Sequence, residues 1–181
     1  MRIDLPLKDE IIKELKVGQK VELYGTIYTA RDVAHSRLVE LIKKGKKLPI
    51  DIKDAVIFYV GPTPAKPGQV IGSAGPTTSY RMDSFAPVLL DNGLKGMIGK
   101  GPRNKDVKDS MLKNKAIYFS AVGGAGALIA KSIKKCTLIA YEDLGPEAIR
   151  KLEVEAFPAI VVNDIYGNDL YEQGRLKYQL K

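Results

Sequence analysis

Reactive sulfur and imidazole are scarce in this chain: 181 residues hold one cysteine, Cys136, and one histidine, His35. A lone thiol cannot close an internal disulfide, and it cannot hold a zinc ion or an iron–sulfur cluster alone, since such centres draw on several ligands. Cys136 lies in the short apolar run KKCTLIAYE, where a free cysteine is expected to be buried and inert. No apolar run approaches the roughly 20 residues of a membrane span. The opening MRIDLPLKDE has no signal-peptide core, so a cytoplasmic location is expected. The sequence also offers no paired-carboxylate site, no metal-ligand set and no cysteine–histidine nucleophile arrangement. If the chain serves an enzyme, the electrophile comes from elsewhere.

What is present is ordinary in bulk: 45% hydrophobic and 28% charged residues, in the range of a globular protein. The length suits one domain, residues 1–181, with a sizeable core. The net charge of +8, from 29 Lys and Arg against 21 Asp and Glu, can attract nucleic acid, an acidic partner or small anions. Most of the excess is lysine scattered on predicted helix faces. The densest cluster, KKGKK at Lys43 to Lys47, falls at a helix exit, where cations suit the macrodipole. With no RNA-binding aromatic signature and no helix-turn-helix pattern, nucleic acid is not an expected partner.

Periodicity predicts a half-buried strand at VELYGTIYTA, Val21 to Ala30, and a helix from Asp32 to Lys44. A buried strand at AVIFYVG, a proline-rich loop from Gly61 to Gln69 and a strand at VIGSA follow. A helix is expected near Thr78 to Asn92, a strand at GMIG, a helix near Asp106 to Lys113, a strand at AIYFSAV and a helix at GAGALIAKSI. Then come strand CTLIAY, helix PEAIRKLEV, strand PAIVVND and a turn at IYGN into a last short strand. The alternation in the second half argues for an α/β layer, and the strand-rich first half for more than one sheet layer.

Three stretches carry chemistry. In GPTTSYRMD, Gly75 to Asp83, hydroxyls sit where a helix is expected to start, so their oxygens can cap it or its free amides can hold an anion. Thr77 and Arg81 are four apart and would share a helical face; a hydroxyl beside a guanidinium fork suits a carboxylate. The same spacing also describes a capped helix with a surface arginine. In TARDVAHSR, Arg31 stands at a strand-to-helix turn, where α/β proteins place ligands. His35 follows four residues later as a proton shuttle or as a helix-face residue. In GMIGKGPRNKD, Lys100 lies between two glycines and can be presented to a small anion or simply form a turn. The run fails as a phosphate loop, since its first glycine is misplaced by one position and Gly101 stands where Ser or Thr belongs. AVGGAGAL, Ala121 to Leu128, lacks the third glycine of a dinucleotide fingerprint, so tight packing at a helix start is expected there. Together these spots imply a small anionic ligand, one with two carboxylates among the candidates.

GTIYTARDVAH, GPTTSYRMDSF, GMIGKG and AVGGAGAL occur in the order seen in the β subunit of class I fumarate hydratases, and the chain resembles that family from about Leu5 to Tyr171. The related tartrate dehydratase β subunit shares these motifs. The resemblance implies a swivelling β/β/α domain, an α/β fold of layered mixed sheets with helices. It implies a partner, an α subunit carrying an oxygen-sensitive [4Fe–4S] cluster, with no metal on this chain, and a hetero-oligomer of α–β pairs; self-association of the lone chain stays open. The implied reaction is reversible hydration of fumarate to (S)-malate, an iron acting as Lewis acid on the hydroxyl while a base takes the C3 proton. By the same resemblance Thr77 matches the proposed base, with Arg81 and Lys100 supplying the cations it needs. Arg31 matches a carboxylate-binding arginine, and His35 becomes a weaker catalytic candidate as a proton relay. Thr78 joins the substrate-binding set, and Asp83 is expected to orient Arg81. Tartrate as substrate, or a non-catalytic basic binding module, are the alternatives; GPRNKDVKDSM lies where fumarate and tartrate enzymes differ.

Overall fold

A computed structural model describes residues 1–122 and 124–179. Seven strands are present among them: β1 (Arg2–Asp4), β2 (Lys20–Thr29), β3 (Val56–Phe58), β4 (Gly96–Gly99), β5 (Ile117–Ser120), β6 (Ile133–Ala140) and β7 (Ile149–Asn163). Six α-helices accompany them: α1 (Asp9–Ile12), α2 (Asp32–Lys43), α3 (Ala86–Asp91), α4 (Lys105–Asn114), α5 (Gly126–Ser132) and α6 (Leu170–Tyr178). The strands pair in the order β1-β2-β3-β4-β5-β7-β6, and β2 also pairs with β7. The ladder therefore closes on itself: β2, β3, β4, β5 and β7 form a ring, with β1 and β6 added at its flanks.

β2, β3, β4 and β5 run parallel, and the long β7 returns antiparallel to both β5 and β2. Short apolar strands such as VIF have to be covered on both faces. Alternation sorts their side chains into two cores. Val56, Phe58, Ile98, Ile117 and Phe119 point into the space between the sheet layers, with Leu23, Ile27, Leu152 and Phe157. Ile57, Tyr59, Met97 and Tyr118 point the other way, against Ala34 and Leu38 of α2, Leu89 and Leu90 of α3, and Val107 and Met111 of α4. The result is the expected layered mixed α/β fold, sheet on sheet on helices.

Several predicted elements move. Residues 70–74 form no strand. The helix expected from Thr78 splits into a 3-10 turn, Ser79–Met82, and the short α3, since Pro87 favours a fresh helix start there. PEAIRKLEV is not a helix: its first residues end a 3-10 stretch, Glu142–Glu147, and the rest opens the 15-residue β7. Pairing with β2 and β6 on both edges outweighs its helix-forming residues. The last short strand is instead helix α6, capped by the Asp169 carboxylate on the Tyr171 and Glu172 amides. The expected small-residue packing of α5 holds: Ala74 N donates to Gly126 O at 3.0 Å, and a Cβ on Gly126 would stand 2.8 Å from Gly75 N. Gly123 of that motif lies outside the described residues. Cys136 is half-buried on β6, and burial pushes its thiol up. No helix among the described residues is long and apolar enough to cross a membrane.

Candidate active site

The site residues gather where β2, β3 and β4 end, on one rim of the ring, as parallel strands favour. β2 ends at Thr29, fully buried, whose hydroxyl donates to Ala148 O at 3.1 Å and accepts from Arg150 N at 2.9 Å. That double bond pins the end of β2 to the start of β7, two residues before Arg31 enters α2. After β3 the chain loops out and returns through a bridge of Val60 with Pro76, and Thr77 N donates to Tyr59 O at 2.7 Å. Thr78 then pairs in parallel with Lys100, and Ser79 N donates to Lys100 O at 2.9 Å. The segment Pro76–Thr78 is thus wedged as a short extra strand between the ends of β3 and β4. This brings Thr77, Thr78 and Lys100 together, as expected, but by bridging and not by helical spacing. Thr77 precedes the 3-10 turn in extended backbone, so it shares no helical face with Arg81.

Gly99 makes this wedge feasible: a Cβ there would land on the Ser79 hydroxyl. Gly101, at φ +85°, turns the chain in a region that favours glycine. Lys100 between them is exposed, whereas Thr77 and Thr78 are half-buried.

Arg31 and Arg81 meet on one carboxylate. Arg81 Nε lies 2.8 Å from Asp32 Oδ1. Arg31 Nη2 lies 3.6 Å from Asp32 Oδ2 and 3.4 Å from Glu147 Oε1. The Arg31 guanidinium lies across Gly61, where a Cβ would stand 2.6 Å from Nη1. Its Nε and the Asp32 Oδ2 are buried without a hydrogen-bond partner.

Asp83 does not orient Arg81. Its carboxylate faces inward, accepting from Arg103 Nε at 2.6 Å and from Asn104 N at 2.8 Å; at 7% exposure it lies beneath the site and not in it. The holding role expected of it falls to Asp32. His35 takes the helix-face alternative, on the buried side of α2. It is fully buried in the sheet–helix core, edge-on to Tyr59 with ring centroids 5.2 Å apart. Its Nδ1 donates to Arg31 O at 2.9 Å, which leaves Nε2 as a buried acceptor without a partner. Burial lowers the imidazole to about 4, assisted by the Arg103 charge and against the Arg31 hydrogen bond. His35 is therefore neutral near pH 7 and sealed from solvent, which removes the relay reading in favour of support for the Arg31 corner.

Sequence reading missed Arg103. Its side chain is fully buried, with the guanidinium carbon 5.3 Å from the Tyr59 ring centroid and 5.2 Å from that of Tyr118. Nη1 donates to Tyr59 Oη at 3.2 Å. Tyr118 Oη donates to Gly101 O at 2.8 Å and shares a 2.8 Å hydrogen bond with Ser79 Oγ. Burial pushes both phenols above their ordinary range, so both stay neutral hydroxyls. One ion pair and two tyrosines thereby tie together Tyr59, Ser79, Asp83 and Gly101, each adjacent to or bonded with the segment that presents Thr77, Arg81 or Lys100. In GPRNKD the Asn104 side chain caps α4, accepting from Val107 N at 2.9 Å.

Among the described residues no group of three or more His, Cys, Asp or Glu side chains stands close enough to hold a metal ion. With one cysteine in the chain and its only histidine buried, the donor set does not fit an iron–sulfur cluster.

Comparison with known proteins agrees with the motif reading. A family model described as the fumarase C-terminus matches residues 1–174. The chain is 43% identical over 180 residues to the anaerobic class I fumarate hydratase of Escherichia coli K12, covering 96% of this chain and 33% of that protein. It is 39% identical over 168 residues to the putative L(+)-tartrate dehydratase subunit beta of Methanocaldococcus jannaschii, covering 90% of this chain and 86% of that one. Against the L(+)-tartrate dehydratase subunit beta of Escherichia coli K12 it is 34% identical over 175 residues, with 94% and 86% covered. The chain thus spans about a third of the fumarate hydratases it matches and most of the tartrate dehydratase subunits.

Proposed function

The chain belongs to the fumarase C-terminus family, a family of hydro-lyases, and we propose that it is the β subunit of a hydratase that adds water reversibly to a dicarboxylate, fumarate giving (S)-malate. The observation that carries this reading is the rim itself: two arginines on one carboxylate, beside a hydroxyl segment bridged to Lys100. Guanidinium forks bind carboxylates through paired hydrogen bonds. Arg31 and Arg81 hold the substrate's carboxylates, and the Lys100 ammonium faces the charge that builds when a proton leaves the neighbouring carbon. Thr77 Oγ1 handles that proton, and Thr78 borders it.

This chain's own residues offer no cluster ligands, so the [4Fe–4S] group expected for the family belongs to a companion α subunit. The exposure of Lys100 and Arg81 supports a rim that a second chain completes; an assembly of α–β pairs in the cytoplasm is part of the same proposal. A specific observation also favours a second substrate: two relatives of matching length are named as tartrate dehydratase β subunits, one of them putative. Anaerobic reconstitution with the cluster-bearing subunit, assayed on fumarate and L(+)-tartrate side by side, tests both. Turnover of either, absent from each subunit alone, is expected. A reconstituted pair that turns over neither refutes the reading.

A further inference from the structure

We infer that Asp32 is a positioning residue that yokes the two substrate-binding arginines, and that it sets their affinity for a dicarboxylate. The inference rests on the hydratase reading above. Asp32 opens α2, where an acid is favoured by the helix dipole, and this alone would account for an aspartate there. The geometry goes further. Oδ1 lies 2.8 Å from Arg81 Nε, from the 3-10 turn after the wedge segment, as an ion pair, while Oδ2 faces Arg31 Nη2 at 3.6 Å, from the end of β2. No other carboxylate among the described residues approaches both guanidiniums.

Contact through Nε leaves the outer edge of Arg81, its two terminal nitrogens, as the fork open to a ligand; its side chain is 43% exposed. Asp32 thus fixes the direction of that fork without occupying it. Arg31 is held more loosely, its Nη2 shared between Asp32 and Glu147, the latter anchored by Val33 N on its other oxygen at 3.4 Å. Two carboxylates on the corner between α2 and β7 therefore hold two cations that arrive from different strand ends.

The sign of the effect separates positioning from mere proximity. Asp32→Asn keeps the side chain's shape and removes one negative charge beside two arginines. If Asp32 only sat nearby, the rim would become more positive and bind a dianion more tightly. If it positions the forks, the dianion binds more weakly. In the reconstituted complex, KM for the dicarboxylate should rise about tenfold, with kcat changing less. In the isolated chain labelled with nitrogen-15, the Arg81 Nε–H resonance should shift between the wild type and Asp32→Asn, reporting the loss of the carboxylate 2.8 Å away. Asp32→Asn should raise KM less in the Arg81→Lys background than in the wild type, because only the Arg31 fork is left for Asp32 to hold. An unchanged or lowered KM in Asp32→Asn beside an active wild type overturns the inference and leaves the hydratase reading standing. A wild-type complex without dicarboxylate turnover overturns both. A lowered melting temperature with unchanged KM assigns Asp32 to the helix end alone and also overturns it.

Discussion

His35 offers a direct measure of how far the core beneath the site is closed. Burial lowers its imidazole from an ordinary value of 6.5 to about 4, and the gap corresponds to about 3 kcal/mol between the protonation states. The folded-state value is depressed, so the unfolded chain takes the proton first. Its contribution is intact above pH 6.5, is lost as pH falls towards about 4, and is flat below that. The informative variant is His35→Asn, whose amide can still donate to the Arg31 carbonyl but does not titrate. Asparagine loses the edge contact with Tyr59, a cost that does not depend on pH. Urea unfolding of both proteins at several pH values from 7 to 4 gives the comparison. Carboxylates common to both titrate in this window and cancel in the difference. The wild type should lose about 3 kcal/mol more than the variant across it. Parallel loss would show that acid reaches His35 in the folded chain without penalty, and the closed-core reasoning would fail. The same burial leaves roughly one His35 in a thousand protonated at pH 7, so turnover of the assembled enzyme should show no limb that disappears in His35→Asn.

Thr77→Ala should cut turnover of the reconstituted complex by about a hundredfold or more, the usual weight of a positioned proton-transfer group, with co-elution of the subunits unchanged; wild-type turnover would remove Thr77 from the chemistry. Arg103→Met leaves the Asp83 carboxylate buried and unpaired and should cost about 3–5 kcal/mol, most of it regained when Asp83→Asn is added; equal midpoints for the wild type and Arg103→Met in denaturant melts would refute this. Gly99→Ala drives a methyl into Ser79 and should cost about 1–3 kcal/mol, with the Ser79 amide losing hydrogen-exchange protection ahead of its neighbours. Protection that stays even across the turn would show that the wedge does not depend on Gly99.

Local patterns were legible where local forces decide. β2 and α2 follow from alternation and helical spacing, and α4 forms where a helix near Asp106 to Lys113 is expected. The stretch 149–154 misled because Leu, Glu, Lys and Arg favour helices, while its fate is set by partners far along the chain. β7 crosses β2 with a register shift opposite Gly25, and Ala156 there adopts φ +51°, a bulge that no residue type announces. At the site, the cations and hydroxyls stood out in the sequence, and the rim collects them. Their wiring did not stand out. Asp32 and Asp83 look alike beside an arginine in sequence, yet one faces the rim and the other the core, a difference decided by the 3-10 turn. Arg103 did not stand out, because burial of a guanidinium depends on two tyrosines 44 and 15 residues away.

The hoop of five strands has no slack. Arg31, the Thr77 segment and Lys100 stand on neighbouring staves of it, and the Thr29 hydroxyl closes the seam just below. None of the three can travel far unless its staves go along. A displacement at any one of these strand ends is therefore passed round the hoop to the other two, and the rim keeps its spacing as a unit.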